Sequence, residues 1–354
     1  MFTKKQKVLF FIIILVFVIL LVPKIPQVAT AFKTGALWIN MAIPEGDWRP
    51  LDLFTPAPVL KKHSIESESL RTLTMHLYLP AGKDRAGAII IYTPFVGGGI
   101  EDARLVNVAK SFSRAGFAVL LSSRTGDELI MSAKDIQDVV SLFLFLEKHP
   151  KVNPGRIGLL GISYGAGPVI IAAADLRIRD RVHFVMSMSG YYDFKNSLRF
   201  IVTGQYSYKD IRGQSEPLAF TQEILKNSLE HHGINGELFE SFISQPNRFE
   251  ELFQDSPEIQ EFGLQLSPLR VIDDIKARFF IIHSTEDLLI PHTESMRLAD
   301  ALQDKVPVSF ALLSLLEHGQ PKPFTMKNIT RYYVPSLADS YVFLYKLLKE
   351  QWRQ

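Results

Sequence analysis

The most constraining feature of this sequence is a short apolar run that leads directly into a glycine-flanked serine. The run and the motif read Arg156-Ile157-Gly158-Leu159-Leu160-Gly161-Ile162-Ser163-Tyr164-Gly165-Ala166-Gly167. The residues before the motif have the composition of a buried strand, and the apolar residues after it predict a helix. A strand that turns sharply into a helix at Gly-x-Ser-x-Gly is a nucleophile elbow, which exposes the serine hydroxyl above the sheet. The motif therefore predicts Ser163 as a nucleophile.

The residues around the serine suit both the geometry and the electrostatics of this turn. So tight a turn brings backbone close to Gly161 and Gly165, where a Cβ has little room. The backbone N–H of Tyr164 is the expected first donor to an oxyanion, at the start of a helix whose dipole favours negative charge. Alone, the motif also matches a plain glycine-rich turn, so its interpretation depends on the strand and helix beside it.

The hydrophobic pattern on both sides of the motif alternates between strands and helices. This alternation is typical of a parallel sheet with right-handed crossovers, whose sites lie at the carboxyl ends of the strands. Besides the strand before Ser163, strands are expected at about 59–65, 72–79, 88–93, 117–121, 183–189, 279–284 and 306–313. Helices are expected around residues 105–115, 136–143, 296–302 and 337–348, and one begins near Gly165.

Two segments lack this alternation. Prolines recur from residue 25 to residue 58 without a long periodic run, which predicts a linker that becomes an arm on the surface. Residues 191–275 carry helical patches and scattered aromatics, which predicts an inserted, mainly helical cap. The α/β core is then expected at 59–190 and 276–354.

The first 24 residues predict a membrane anchor or a signal segment. Lys4, Lys5 and Lys7 precede a run of fifteen uncharged residues, Val8 to Val22. As a helix this run spans roughly 22 Å. Its richness in Ile, Phe, Leu and Val favours a retained transmembrane helix, and the lysines would place the catalytic domain outside the cytoplasm. A secreted or periplasmic protein is the alternative, because Ala29-Thr30-Ala31 supplies an A-x-A-like cleavage site.

Composition excludes several functions. The 354 residues are 47% apolar, which suits one α/β domain with an insertion. A net charge of +2 supplies no basic field for nucleic acid, so no nucleic-acid partner is expected. The absence of cysteine excludes disulfides, thiolate metal sites and a cysteine nucleophile. We expect neither a metal nor an organic cofactor.

A serine hydroxyl is a weak nucleophile at neutral pH and needs an imidazole base that a carboxylate orients. Asp287 lies just after the predicted strand that ends at Ser284, and His318 lies just after the last predicted strand. Both positions are loops at the strand ends where Ser163 is expected. The sequence therefore predicts a catalytic triad of Ser163, Asp287 and His318.

Over roughly residues 59–350, the chain resembles the α/β-hydrolase family. The segment from Asn153 to Gly165 looks like the elbow of the dienelactone-hydrolase and prolyl-oligopeptidase branches, and Phe280-Ile281-Ile282-His283-Ser284-Thr285-Glu286-Asp287 is similar to their acid loop. The order Ser, Asp, His is also that of these enzymes. The resemblance implies an α/β-hydrolase fold in which Asp287 is the orienting acid and His318 the general base.

The oxyanion loop departs from the family pattern. Where relatives often have His-Gly after the third strand, this chain reads Tyr92-Thr93-Pro94-Phe95-Val96-Gly97-Gly98-Gly99. Pro94 has no N–H to donate. Phe95 aligns best as the second oxyanion donor, and the glycine run is the alternative.

Other acids and histidines are weaker candidates. Asp193 could serve as the acid if the cap begins elsewhere, and Glu286 is expected to be solvated. His292 follows no strand of its own. His283 lies within the end of a predicted strand, where we expect a packed side chain. His231-His232 has no second ligand cluster at metal spacing, which favours an exposed loop.

The cap is expected to cover the strand ends and to help select the substrate. Its aromatic residues can line an acyl or aryl pocket or form the core of the cap. These residues are Phe200, Tyr206, Tyr208, Phe220, Phe239 and Phe242.

The sequence thus predicts a serine hydrolase that cleaves an ester or related acyl bond through an acyl-enzyme. Its expected partners are a small-molecule acyl ester or a peptide, and the membrane through the N-terminal helix. A peptidase or an acyltransferase with the same triad is the alternative within this chemistry. A catalytically inactive, membrane-bound binding protein of the same fold is the alternative from another class.

Overall fold

The computed structural model of the chain describes residues 26–42, 49–93, 99–124, 129–318 and 320–352. Its strands are β1 (Val59–Glu66), β2 (Thr72–Leu79), β3 (Ala86–Tyr92), β4 (Ala118–Arg124), β5 (Val152–Ile162), β6 (Val182–Met188), β7 (Gln205–Tyr208), β8 (Ile211–Gln214), β9 (Arg278–His283), β10 (Val308–Leu312), β11 (Leu316–Glu317) and β12 (Gln320–Pro321). Eight of them form one sheet in the order β1-β2-β4-β3-β5-β6-β9-β10. β2 is antiparallel to β1 and β4, and the other neighbours in this sheet are parallel.

Helices occupy most of the connections between these strands. They are α1 (Pro26–Ala42), α2 (Pro50–Phe54), α3 (Ala103–Ala115), α4 (Lys134–Glu147), α5 (Ala166–Ala173), α6 (Phe194–Thr203), α7 (Ala219–His231), α8 (Gly236–Ser244), α9 (Phe249–Gln254), α10 (Pro257–Leu266), α11 (His292–Leu302), α12 (Met326–Asn328) and α13 (Val334–Lys349). The caps of α3 illustrate how the sequence sets the ends. The Asp102 side chain accepts the Arg104 N–H, and Gly116 ends the helix at φ 118°.

The sheet buries apolar side chains on both faces, as a parallel sheet with crossover helices requires. Ile90 of β3 packs in a cluster with residues of α4, α5 and α11. Its neighbours Ile89 and Ile91 point the other way and pack with residues of α1, α3 and α13. The predicted architecture, a mostly parallel sheet flanked by helices, is confirmed.

The N-terminal segment differs from the linker predicted for residues 25–58. Helix α1 packs against α3 and α13, and its Leu37 is fully buried. The buried face of α1 is partly polar: Thr34 donates to the Thr30 carbonyl at 2.8 Å, and the Asn40 side chain accepts the Leu51 N–H at 2.9 Å. Because polar residues share the buried face with apolar ones, the helical period was not visible as a hydrophobic stripe.

The predicted anchor or signal segment, residues 1–24, lies outside the described residues. Within the described ranges, none of the helices combines the length and apolar character that crossing a bilayer demands. Membrane attachment therefore stays a prediction.

Between β6 and β9 the chain forms a mainly helical segment, which contains α6 to α10. This segment has its own apolar cluster, in which Leu225, Phe242 and Leu266 are fully buried. The hairpin of β7 and β8 was not predicted, since each strand is only four residues long and its residues are alternately exposed and half-buried. The segment joins two adjacent strands of the sheet. It begins at the carboxyl end of β6 and ends at the amino end of β9.

The burial of Leu37 predicts that α1 stabilises the fold. We expect Leu37→Ala to lower the free energy of unfolding by about 2–5 kcal/mol, because it leaves a cavity where α1 packs against α3 and α13. Val28→Ala, on the exposed side of the same helix, is the matched control and should change it by about 0.5 kcal/mol or less. Chemical denaturation of the full chain measures both, and equal midpoints for the two variants would contradict the prediction.

Candidate active site

Ser163 lies at a strained turn directly after β5. Its φ is 56°, in the left-handed region that non-glycine residues rarely adopt. A single 3₁₀ turn, Ser163–Gly165, then leads into α5. A Cβ on Gly161 would lie 2.4 Å from the Ala166 Cα and 2.6 Å from the Gly165 carbonyl oxygen, so only glycine fits before this turn. The local structure is the strand-turn-helix that exposes a serine hydroxyl at the rim of the sheet.

The structure brings together the three residues predicted as a triad. The Nε2 atom of His318 lies 2.8 Å from the Oγ of Ser163. The Nδ1 atom of His318 lies 2.8 Å and 3.0 Å from the two carboxylate oxygens of Asp287. Asp287 lies in the loop after β9 and His318 directly follows β11, so both come from the carboxyl side of the sheet. This arrangement can pass a proton from the hydroxyl to the imidazole.

The loop after β9 holds Asp287 in one orientation and ionised. Its Oδ1 atom accepts the backbone N–H groups of Leu289 and Ile290 at 2.9 Å and 3.0 Å. Burial alone raises the pKa of Asp287, but hydrogen bonds from His283 and His318 outweigh it and hold this pKa well below its ordinary value. The carboxylate is therefore charged at neutral pH, as an acid that orients an imidazole must be.

His283 contacts the same carboxylate, a contact that the sequence analysis missed. Its ring is fully buried, as expected for a packed residue, and its Nε2 atom lies 3.3 Å from the Oδ2 atom of Asp287. The position of His283 four residues before Asp287, at the end of the same strand, is the signal that could have indicated it. Asp287 thus faces two imidazoles.

The predicted oxyanion donors are only partly described. Tyr164 is buried, and its ring stacks on that of Tyr191 with the centroids 5.6 Å apart. This stacking fixes the residue that follows the nucleophile, and donation by its N–H stays a prediction. Phe95 lies outside the described residues, as do Gly97 and Gly98 of the glycine run.

The competing acids have other contacts. The side chain of Asp193 accepts the Lys195 N–H and caps α6. Glu286 is exposed and pairs with Lys322 at 3.0 Å. The contacts described for these two carboxylates are therefore made with residues other than His318.

The competing histidines lie apart from the triad. His292 is the first residue of α11, and its ring centroid is 5.7 Å from that of Tyr206. His231 and His232 are exposed at the end of α7, and the Nε2 atom of His232 lies 2.9 Å from the carbonyl oxygen of Met131. In the part of the chain that the structure describes, no three His, Asp or Glu side chains form a group suited to a metal ion.

An apolar cavity of about 660 Å³ opens at Ser163 and His318. Of the six aromatic residues proposed for its lining, only Phe220 contributes. Phe239 and Phe242 are in the core of the helical segment, and the hydroxyl of Tyr208 bonds Asp300 at 2.7 Å. The cavity lining comes instead from residues spread over the sheet, α3, α6 and α7.

Comparisons with known proteins agree with this fold. The fold defines an α/β-hydrolase-type protein, and the resemblance to the serine hydrolases of this superfamily is confirmed. Residues 71–320 match the model of the X-Pro dipeptidyl-peptidase (S15) family, and the chain belongs to that family.

Two curated relatives share part of the sequence. A polyketide transferase, claH, of Penicillium crustosum is 31% identical over 137 residues, which cover 35% of this chain and 42% of the transferase. A 31.7 kDa protein in the traX-finO intergenic region of Escherichia coli is 24% identical over 245 residues, covering 63% of this chain and 80% of that protein.

Solved structures share the fold at low sequence identity. The acylaminoacyl peptidase of Pyrococcus horikoshii has a TM-score of 0.56 and 19% identity, over 87% of this chain and 45% of the peptidase. An esterase of Pyrococcus furiosus has a TM-score of 0.50 and 18% identity, over 86% of this chain and 98% of the esterase. The chain therefore spans less than half the length of the peptidase it resembles.

A buried carboxyl, Glu294, joins the helical segment to the acid side of the site. Its Oε2 atom accepts the N–H groups of Tyr192 and Asp193 at 3.2 Å and 2.9 Å, where α6 begins. Burial raises the pKa of Glu294 to about 7, although the Asp193 N–H and Arg297 act in the opposite direction.

This carboxyl predicts a pH dependence of stability. Because the pKa is raised in the folded state, the folded chain binds more protons than the unfolded chain between about pH 4.5 and 7, and stability falls as the pH rises through that range. We expect the free energy of unfolding of the wild type, minus that of Glu294→Gln, to fall by on the order of 3 kcal/mol across it. Denaturation of both proteins at several pH values measures this difference, and parallel pH profiles would contradict it.

Proposed function

We propose that this protein is a serine hydrolase that cleaves an ester or related acyl bond through a covalent acyl-enzyme on Ser163. The hydrogen-bonded line from Asp287 through His318 to Ser163 carries this proposal. Membership of the S15 family supports the hydrolase class.

The geometry supports a division of roles within this line. Asp287 only accepts, so the Nδ1 atom of His318 carries a proton and its Nε2 atom is left to accept the proton of Ser163. As the Oγ of Ser163 attacks the carbonyl carbon, Nε2 takes this proton, and Asp287 stabilises the imidazolium. The imidazolium then gives the proton to the leaving group. In the second half of the reaction, His318 activates the water that releases the acid and regenerates Ser163.

The oxyanion would be held by backbone N–H groups. Tyr164 directly follows the nucleophile and precedes α5, a position that supports its N–H as the first donor. Phe95 is proposed as the second donor from its place in the sequence after β3. These two assignments complete a site of the kind that stabilises the tetrahedral intermediates of acyl transfer.

Two further functions of the same site are each favoured by one comparison. The family description names an X-Pro dipeptidyl-peptidase, which favours peptide bonds as the substrate. The similarity to a polyketide transferase favours transfer of the acyl group to an acceptor other than water. Product analysis with an added alcohol or amine separates transfer from hydrolysis, because a transferase would yield the new ester or amide.

The organisation of the chain is part of the proposal. We place a cap at residues 191–275, over the carboxyl edge of a core formed by 59–190 and 276–354. Residues 1–24 are proposed to anchor the protein in a membrane with the catalytic domain outside the cytoplasm, or to direct its secretion. The cap is supported by the helices α6 to α10, six of whose residues line the cavity: Phe194, Ser197, Ile201, Phe220, Thr221 and Ile224.

Removing the nucleophile tests the proposal. We expect Ser163→Ala to lower kcat on a p-nitrophenyl ester by about 10⁴-fold or more, because no other group can form the acyl-enzyme. It should also abolish labelling by a fluorophosphonate probe, which reacts with an activated serine. Ser244→Ala, at the exposed end of α8, is the matched control and should retain both signals.

The same experiment distinguishes an enzyme from an inactive binding protein of this fold. An inactive protein would give no label in the wild type, even though its thermal unfolding is normal. Ordinary turnover in a folded Ser163→Ala variant would overturn the assignment of the nucleophile.

A further inference from the structure

The cavity at Ser163 lies between two separate hydrophobic clusters. On one side, Leu105, Val108 and Phe112 belong to or pack on the cluster between the sheet and α3. We call these three residues the α3 wall. On the other side, Phe194, Ile201 and Ile224 belong to the cluster of the helical segment, and we call them the segment wall. The cavity is thus the space where these two apolar surfaces face each other without filling it.

The α3 wall is a continuous apolar face. Its residues are spaced three and four apart, so they lie one above the other on the same side of the helix. Met41 and Ala42, at the end of α1, extend this side of the cavity. Helix α1, in a segment whose prolines predicted a linker, therefore contributes to the cavity.

The charged side chains of the described lining are paired with each other or with neighbours. Asp102 and Arg104 form an ion pair at 2.6 Å, at the first turn of α3. Lys322 pairs with Glu286 at 3.0 Å. A charged substrate would have to compete with these contacts.

An apolar chain and a peptide make different demands on such walls. A peptide brings N–H and C=O groups, and burying one of them without a partner costs free energy. An alkyl chain has no such groups and gains from every methylene that it buries. The volume, about 660 Å³, lies within the usual range for a site that encloses a drug-sized ligand and exceeds what an acetyl group needs.

We propose that the substrate carries a long, uncharged alkyl acyl chain, which lies between the α3 wall and the segment wall while its carbonyl carbon meets Ser163. This inference rests on the proposed function and names its substrate class.

A chain-length series tests the inference. With p-nitrophenyl esters from acetyl to dodecanoyl, we expect kcat/KM to rise about two- to fourfold for each added methylene until the cavity is filled. The ester of succinate, whose chain ends in a carboxylate, should react at least about 100-fold more slowly than the butyrate ester. Gly-Pro p-nitroanilide, a dipeptidyl substrate, should be cleaved more slowly than the esters.

Variants that narrow the cavity locate the chain. Val108→Trp and Thr221→Trp each place a large ring on one side of the cavity, at positions that are only partly buried. We expect each to lower kcat/KM for the long-chain esters more than for the acetyl ester, which shifts the optimum to shorter chains, and fluorophosphonate labelling shows that Ser163 still reacts. Val342→Trp, on the exposed side of α13, is the control and should leave the profile unchanged.

The outcomes separate this inference from the proposed function. A flat chain-length profile, or a preference for the dipeptidyl substrate, in a protein that the probe labels at Ser163 would overturn the acyl-chain inference and leave the serine chemistry standing. Absence of both labelling and turnover would overturn the proposed function itself. Unchanged profiles in both tryptophan variants would also overturn the placement of the chain.

A second inference concerns His283 and stands on different contacts. Its Nε2 atom lies 3.0 Å from the carbonyl oxygen of Ile290, and its Nδ1 atom lies 2.6 Å from the Oγ of Ser295. A carbonyl only accepts, so Nε2 carries the proton, and in the neutral ring Nδ1 accepts the hydroxyl proton of Ser295. The Nε2–H then lies between Ile290 and the Oδ2 atom of Asp287, 3.3 Å away.

We infer that His283 is a positioning residue. Its Nε2–H holds the Asp287 carboxylate in the plane that His318 requires, and the hydroxyl of Ser295 fixes this proton on Nε2. The two backbone N–H groups of the loop bind only Oδ1. Oδ2 is contacted by the Nδ1 atom of His318 at 3.0 Å and by the Nε2 atom of His283 at 3.3 Å, so His283 is a second contact to the oxygen that the backbone leaves.

Substitutions at residue 283 distinguish positioning from packing. We expect His283→Leu to lower kcat about tenfold with little change in KM, because the acid is less well aligned. His283→Gln, whose amide can place an N–H near the position of Nε2, should recover most of this loss. Rates are normalised to the fraction of protein that the fluorophosphonate probe labels.

A role in packing alone gives a different result. It would lower the melting temperature of both variants while leaving kcat per labelled site unchanged, and this would overturn the inference. If His283→Leu does not fold, Ser295→Ala provides the second test. It removes the hydroxyl that fixes the tautomer, and it should lower kcat without changing KM.

Discussion

Two hydrogen bonds of 2.8 Å, from Ser163 to His318 and from His318 to Asp287, impose the strictest requirement on this structure. The three residues lie far apart in the chain, so they can meet only where separate strands end at the same edge. A mostly parallel sheet provides that edge, because β5, β9 and β10 all run toward it. The turn at Ser163 and the loop at Asp287 then determine the final positions of these two side chains relative to His318.

The site also depends on how the helical segment meets the sheet. Most residues of the apolar cluster around Leu225 and Phe242 belong to the segment, so its helices pack largely on one another and leave space over the sheet unfilled. The consequence is a cavity with two apolar walls and a reactive rim. Glu294 ties the start of α6 to the first turn of α11, which follows the loop that carries Asp287, and so the same side of the molecule carries the acid, the base and one wall of the cavity.

Much of the sheet could be predicted because its strands are buried on both faces and appear as short apolar runs. The predicted strands at 72–79 and 183–189 match β2 and β6 to within a residue. Helix α1 was missed because Thr34 and Asn40 lie on its buried face with their polar atoms satisfied inside the structure. The hairpin of β7 and β8 was missed because strands of four residues carry too short a pattern.

The sequence by itself determined which residues could act: a serine in a Gly-x-Ser-x-Gly turn, an acid after one strand and a histidine after the next, because local composition decides strands and turns. Only the tertiary structure decided the distances between them, the contact of His283 with Asp287 and the aromatic residues that line the cavity. These depend on contacts between segments up to 155 residues apart. Neither hydrophobic period nor spacing encodes which side chains meet across such separations, since packing between elements decides it.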